Sequence, residues 1–140
     1  MSKLESYFNE VLEELELFET PIERLQFVLE HGKDLDEFPQ DQLKEENKVP
    51  GCTSNVYIYV SRDEHNKVLF WATSEALIVG GYIAILFEGL QEMSKEEILS
   101  SEELIRDFTL KAGVRESLTP TRANAFTNIL IMIFNKVKEL

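Results

Sequence analysis

Residues 76–87, with the sequence ALIVGGYIAILF, are the most apolar stretch of the chain. They carry no charged side chain, so a helix built from them has no face suited to water and must be covered by other elements. The pair Gly80-Gly81 would allow close backbone packing, and the stretch is too short to span a bilayer comfortably. We therefore expect a buried central helix, opened by Ser74 and Glu75.

Two predicted strands precede this helix. Residues 56–60 (VYIYV) alternate between aliphatic and aromatic side chains, which is typical of a half-buried strand. Residues 62–66 (RDEHN) predict a polar turn, and residues 68–72 (VLFWA) predict a return strand. Together they predict an antiparallel hairpin beside the central helix.

The first helices are amphipathic. Apolar residues at three- and four-residue spacing predict a helix over residues 3–18. Thr20 and Pro21 are typical of the start of a second helix, which Gly32 would end. Its expected apolar stripe consists of Ile22, Leu25, Val28 and Leu29.

Further helices follow the central one. Segments 94–97 (SKEE) and 100–103 (SSEE) predict two capping boxes that open short helices, and Gly113 would break the second. Thr119-Pro120 predicts the start of a long final helix. Its core stripe is expected to be Phe126, Ile129, Leu130, Ile133, Phe134 and Val137.

The order of elements predicts the fold class. Helices, a hairpin and further helices follow one another without a parallel crossover pattern, so we expect an α+β fold with helices packed around a small antiparallel sheet. The 140 residues contain no internal repeat and no low-complexity linker. Residues 1–140 are therefore expected to form a single domain.

The charge is strongly negative and unevenly spread. The net charge is −12, and residues 1–50 alone hold 14 acids and 5 bases. Such a field repels phosphate backbones, so we expect no nucleic-acid partner. The acidic half is either a solvated helical surface or a docking surface for a basic partner. The first residues show no signal-peptide pattern and the chain holds one cysteine, so a cytoplasmic protein without membrane attachment is expected.

That cysteine, Cys52, has several possible roles. Free cysteines are often small buried hydrophobes. A metal site needs several Cys or His ligands at short spacing, and a cysteine hydrolase needs a partner base, but His31 and His65 lie in no recognisable motif for either. Pro50-Gly51 predicts a turn, which would put Cys52 on a loop. There a thiol can attack an already activated sulfur if its thiolate is accessible.

Three segments resemble the SufE family, the sulfur-acceptor proteins that work with cysteine desulfurases in Fe–S cluster assembly. Residues 49–57 (VPGCTSNVY) are similar to the family's V-x-G-C-x-S-x-V-W. Residues 74–81 (SEALIVGG) and 118–124 (LTPTRAN) are similar to its S-D-A-x-I-V-x-G and L-T-P-S-R-x-N. The order and spacing of the three segments also agree.

The resemblance implies a specific activity. Cys52 would take a sulfane sulfur from the persulfide of a cysteine desulfurase, stimulate that enzyme, and pass the sulfur to an Fe–S scaffold or another sulfur-accepting protein. The implied fold is of the SufE/IscU type. The desulfurase carries pyridoxal phosphate, whereas this chain would need no cofactor and bind no metal. The alternative is a non-catalytic adaptor of a desulfurase complex with a structural or redox-sensing cysteine.

Four further residues are candidates for supporting Cys52. Gly51 and Ser54 belong to the cysteine motif. Glu75 either contacts the first-turn amides of the central helix or holds the cysteine loop at rest. Arg122 is either a solvated or ion-paired residue of the last helix, or it lies near the loop to stabilise a thiolate or dock the desulfurase. We also expect the loop to tuck Cys52 inward at rest, which would shield the thiol.

Overall fold

The computed structural model describes residues 2–52 and 54–140. The described residues form seven α-helices, two strands and two short 3-10 turns. The helices are α1 (Lys3–Leu17), α2 (Pro21–Gly32), α3 (Leu77–Leu90), α4 (Lys95–Ser100), α5 (Glu102–Lys111), α6 (Val114–Ser117) and α7 (Pro120–Lys138). The strands are β1 (Val56–Arg62) and β2 (Val68–Ser74), and the 3-10 turns are Gln40–Gln42 and Glu45–Asn47.

The two strands form the predicted hairpin. They pair antiparallel, with Val56 opposite Ser74 and Arg62 opposite Val68. The aliphatic residues of β1 are buried, and its tyrosines lie half-buried on the other face. In the turn, a carboxylate oxygen of Asp63 accepts hydrogen bonds from the backbone N–H groups two and four residues on, at 2.8 and 2.9 Å. The α+β architecture predicted from the element order is confirmed.

Helix α3 is the central element of the core. Residues 78–87 and Leu90 are buried, whereas Leu77 at its start is 73% exposed. A side chain at Gly81 would overlap the carbonyl of Val28 and come within 2.7 Å of its Cγ1, so α2 can approach α3 closely only because residue 81 is glycine. The close packing predicted for the glycine pair is therefore confirmed at Gly81. None of the described helices is long and apolar enough to cross a membrane.

The apolar stripe predicted for α2 is wrong in its first half. Ile22 and Leu25 are 66% and 41% exposed, whereas Val28 is 1% exposed. The close approach to α3 occurs at Val28 and Gly32, in the second half of α2. The first half of the helix therefore does not carry the apolar contact that its periodicity indicates.

One of the two predicted capping boxes is confirmed. Ser94 and Glu97 exchange side-chain and backbone hydrogen bonds at the start of α4. The hydroxyls of Ser100 and Ser101 instead donate back to the Glu97 carbonyl, at 3.0 and 2.8 Å. Helix α5 thus begins without a side-chain cap, because the hydroxyl of Ser101, its N-cap residue, bonds to the Glu97 carbonyl of α4.

Helix α7 begins as predicted. Pro120 is its first residue, and the Thr119 hydroxyl accepts a hydrogen bond from the N–H of Arg122 at 3.4 Å. All six residues of the predicted core stripe are buried. The helix packs against β1, α4 and α6. This packing places the neighbouring face of α7 beside the segment that leads into β1.

Candidate functional site

The cysteine loop, residues 50–55, is closed at its base by a backbone contact. The N–H of Val49 donates to the carbonyl of Val56 at 2.9 Å, and Lys48 forms an isolated bridge with Tyr57. Val49 and Val56 are both almost fully buried. The loop therefore leaves a fixed point of the core and returns to it, with Cys52 between.

Helix α7 holds the first part of this loop. The side-chain amide of Asn128 donates a hydrogen bond from Nδ2 to the carbonyl of Pro50 at 3.0 Å. Gly51 has a φ of +76°, a conformation that residues with a side chain rarely adopt. A Cβ on Gly51 would also lie 2.8 Å from Asn128 Nδ2. The positive φ thus favours glycine at position 51, and a side chain there would have to displace the Asn128 amide.

Glu75 holds the last part of the loop. Its carboxylate accepts hydrogen bonds from the backbone N–H of Asn55 at 3.3 Å and from Asn55 Nδ2 at 2.9 Å. Its own N–H donates to the Asn55 carbonyl at 3.1 Å. Of the two roles considered for Glu75, the geometry is that of a neighbour holding the loop. The Ser74 hydroxyl, rather than Glu75, bonds the N–H of Ala76 before α3, at 3.1 Å.

Cys52 lies at the edge of the hydrophobic core. Its side chain is partly buried and packs against the core residues. This burial raises the pKa of the Cys52 thiol above its ordinary value, and no charged group of the described residues contributes to the shift. A thiol with a raised pKa stays protonated at neutral pH, and the protonated form is a poor nucleophile.

Cys52 lines a groove of about 560 Å³ between its loop and α7. Gly51 lies beside it on the loop side, and Ile131, Met132 and Asn135 line the helix side. The groove is open to solvent and Cys52 is only partly buried, so the thiol is reached from outside without unfolding the core. The shielding expected from the sequence is therefore partial.

Lys136 and Asn47 fix the segment that enters the loop, and the sequence reasoning missed both. Lys136 Nζ donates to Asn47 Oδ1 at 2.6 Å and to the carbonyl of Glu46 at 3.4 Å. Asn47 is only 3% exposed and donates in turn to the carbonyl of Gln42 at 2.8 Å. Burial lowers the pKa of Lys136, against the opposing effect of Glu46 and Glu139.

A weak signal for this face of α7 was present in the sequence. Asn128, Met132 and Lys136 follow one another at intervals of four residues, so they lie on one side of a helix. That side is adjacent to the predicted core stripe. The spacing indicates a shared face, but it does not indicate which distant segment the face contacts.

The other two predicted site residues are placed differently. Ser54 is half-buried, and its neighbour Thr53, which belongs to the cysteine motif, lies outside the described residues. Arg122 is exposed in the first turn of α7. Its side chain forms no hydrogen bond or ion pair with the described residues, and it does not line the Cys52 groove. A role of Arg122 in docking stays a prediction.

The two histidines lie apart from this groove. His31 Nδ1 is 3.0 Å from the carbonyl of Phe27, and its Nε2 is 3.9 Å from Glu88. His65 lies in the hairpin turn, with Nε2 3.5 Å from Glu64. Within residues 2–52 and 54–140, no three His, Cys, Asp or Glu side chains are grouped so that they could hold a metal ion.

Comparison with known proteins gives consistent matches. The SufE family model, described as an Fe–S metabolism associated domain, matches residues 9–137. An uncharacterised SufE-like protein of Synechocystis is 36% identical over 126 residues, which cover 90% of this chain and 77% of that protein. The cysteine desulfuration protein SufE of Wigglesworthia glossinidia brevipalpis is 31% identical over 107 residues, covering 76% of this chain and 73% of the other.

A solved structure shares the fold. The solution structure of a hypothetical protein from Thermus thermophilus superposes with a TM-score of 0.72. The match covers 95% of this chain and 94% of the other, at 22% sequence identity.

Proposed function

Because this chain belongs to the SufE family, we propose that Cys52 accepts a sulfane sulfur from the persulfide of a cysteine desulfurase and passes it on for Fe–S cluster assembly. We also propose that residues 1–140 act as one SufE-like domain. The observation that carries the proposal is the position of Cys52. It lies on a loop anchored at both ends, beside an open groove, and the thiol itself is bonded to none of the described residues.

The transfer is a thiol–persulfide exchange. The sulfur of Cys52 attacks the terminal sulfur of the desulfurase persulfide, a new S–S bond forms on Cys52, and the S–S bond of the donor breaks. The desulfurase cysteine leaves as a thiolate and takes up the proton that Cys52 loses. Sulfur is transferred without any external oxidant or reductant.

Removal of the sulfur explains how the chain would stimulate the desulfurase. The desulfurase cysteine must be free of sulfur before it can take part in the next turnover. An acceptor that clears it raises turnover without touching the chemistry of cysteine breakdown. The scaffold thiol then attacks the terminal sulfur on Cys52, and Cys52 returns as a thiolate.

The anchors of the loop suit a thiol that reacts only on a partner. Asn128 and Glu75 hold the loop through hydrogen bonds near the surface, each worth roughly 0.5–1.5 kcal/mol. Docking of a partner can replace such bonds at modest cost. Once the loop moves away from the core, the desolvation that raises the pKa of Cys52 is removed and the thiolate forms more readily.

Intact mass spectrometry tests this function. The protein is incubated with a purified cysteine desulfurase, pyridoxal phosphate and cysteine, and its mass is then measured without reductant. A gain of about 32 Da, one sulfur atom, is expected on the wild type and not on Cys52→Ser. An increase in desulfurase turnover without any adduct would instead favour the adaptor role, and an equal mass gain on Cys52→Ser, which has no thiol, would show that the adduct is not a persulfide on Cys52.

A further inference from the structure

A second groove lies between α2, residues 33–43, the end of β2 and the start of α3. Its volume is about 800 Å³. We call it the acidic groove, because Glu30, Asp36 and Glu37 line it together with apolar residues. The apolar residues that line it are Leu29, Leu35, Phe38, Leu43, Ala72 and Leu77.

Two of these leucines are exposed to solvent. Leu77 is 73% exposed, although the residues of α3 that follow it are buried, and Leu43, which also lines the groove, is 44% exposed. Large apolar side chains gathered beside a concave apolar surface are typical of a binding site for another protein. The feature is a groove rather than a scatter of single exposed residues.

The charges around the groove are almost all negative. Among the described residues, Lys33 is the only base that lines it, and its Nζ is already 3.0 Å from a carboxylate oxygen of Glu30. Asp36 and Glu37 form no ion pair within the described part of the chain. Two carboxylates are thus available to a cationic ligand.

The negative surface continues along β2. A neighbouring hollow of about 470 Å³ shares Asp36 with the acidic groove and adds Asp34, Glu88 and Glu92, with no Lys or Arg among its lining residues. Phe70 and Trp71 also line this hollow. Surfaces of one sign attract partners of the opposite sign, and aromatic faces favour Lys and Arg side chains. The occupant that complements this surface is basic and carries large apolar side chains.

The acidic groove adjoins the anchor of the cysteine loop. Ser74 and Leu77 line the groove, and Glu75 between them binds Asn55 of the loop. A partner seated in the groove therefore lies beside the point that holds Cys52 at rest. A cysteine desulfurase bound in the acidic groove would therefore lie close to Cys52, the residue to which it must deliver sulfur.

We infer that the acidic groove is the docking site for a basic segment of the cysteine desulfurase, one that packs at least one large apolar side chain against the exposed leucines Leu43 and Leu77. The inference rests on the proposed function, which supplies the partner. Docking at this groove would account for part of the acidic excess of residues 1–50. From the sequence, this excess indicated either a solvated surface or a docking surface for a basic partner.

Charge reversal tests the electrostatic part. The double variant Asp36→Lys/Glu37→Lys is expected to bind a purified cysteine desulfurase about tenfold more weakly in isothermal titration calorimetry, and the difference should shrink as salt is added. The matched control is Glu96→Lys/Glu103→Lys, which changes the net charge equally at positions on α4 and α5 outside the groove. Equal affinity of the groove variant and the wild type would overturn the inference, and so would equal losses in both double variants.

Leu77→Ser tests the apolar part. This side chain is largely in water, so its removal should leave the fold intact, which thermal unfolding would verify. A five- to tenfold rise in the Kd for the desulfurase is expected, a loss typical of truncating a side chain that contributes to an interface. Leu110→Ser is the control, because Leu110 is 66% exposed on α5 and does not line the groove. A loss of affinity in Leu110→Ser equal to that in Leu77→Ser would contradict docking at the groove.

The two proposals fail in different ways. If wild-type protein gains sulfur on Cys52 but the groove variants gain it at the same rate at low desulfurase concentration, the docking site is wrong and the function stands. If the wild type gains no sulfur while the groove variants still bind the desulfurase more weakly, the acceptor function is wrong and the docking site stands.

Discussion

The side-chain amide of Asn128 occupies the space that a side chain on Gly51 would need. A Cβ at position 51 would lie 2.8 Å from Asn128 Nδ2, the same atom that donates to the carbonyl of Pro50 at 3.0 Å. The residue before Cys52 and a residue of the last helix are therefore fitted to each other. A change at either one alters how the thiol is presented.

Gly51→Ala is expected to loosen the cysteine loop. The positive φ of Gly51 alone costs a residue with a side chain about 1 kcal/mol, and the new methyl group would displace the Asn128 amide. Cys52 should then react several-fold faster with iodoacetamide, as measured by mass spectrometry over time.

Gly113→Ala is the matched control for this variant. Gly113 has a similar φ of +70°, but a Cβ there would come no closer than 3.7 Å to its nearest neighbour, Glu116. It should destabilise the fold by a similar backbone cost without changing the reactivity of Cys52. Equal labelling rates in Gly51→Ala and the wild type would contradict the anchoring by Asn128.

Glu75→Ala should also expose Cys52. It removes the acceptor of two hydrogen bonds from Asn55, at the other end of the loop. A loss of about 1 kcal/mol from the resting conformation corresponds to roughly fivefold faster alkylation of the free protein. Glu103→Ala, at an exposed position on α5 away from the loop, is the control. An unchanged rate would show that Glu75 does not hold the loop.

The pH dependence of alkylation reports the burial of Cys52. Because burial raises the pKa of this thiol in the folded protein, the rate should reach its midpoint at a higher pH in the native state than in urea-unfolded protein. Between the two pKa values the unfolded chain carries more thiolate and should react faster. A native midpoint at or below the unfolded one would contradict burial as the dominant influence on the pKa of Cys52.

Replacing Gly80 or its neighbour Gly81 with alanine is expected to have opposite effects on the stability of the fold. Gly81→Ala would push a methyl group into the Val28 carbonyl, which is backbone and cannot rotate away, and should lower the free energy of unfolding by about 3 kcal/mol. A Cβ at Gly80 would be 3.7 Å from Ser74 Cβ, an ordinary contact. Gly80→Ala should therefore be neutral or stabilise the fold by up to about 1 kcal/mol, because alanine favours helix.

Urea unfolding of both variants measures this difference. Both variants replace glycine with alanine in α3, so the change in helix propensity is the same in both and does not contribute to the difference between them. Comparable stabilities of the two variants would show that α2 and α3 can separate at Gly81 without cost.

Local patterns were sufficient for the elements that have a strong period. The alternation of residues 56–60 predicted β1, and the stripe on α7 predicted the buried face of that helix. The cysteine motif located the loop. These features depend on residues within a few positions of one another, so the sequence carries them directly.

Contacts between distant segments were not predictable in the same way. Ile22 and Leu25 fit an apolar stripe, but whether a stripe is covered depends on where the neighbouring helix lies. The bond from Lys136 to Asn47 joins residues that share no local pattern. The sequence left two roles open for Glu75, and the choice between them required the position of Asn55.

The distance in sequence between Pro50 and Asn128, 78 positions, has a consequence during synthesis. When Cys52 first leaves the ribosome, the helix that anchors its loop has not yet been made. The nascent chain therefore exposes this thiol to oxidants until α7 packs against β1. Protection of Cys52 from a thiol reagent is accordingly a readout of the docking of α7, and a time course of labelling during refolding would follow this step.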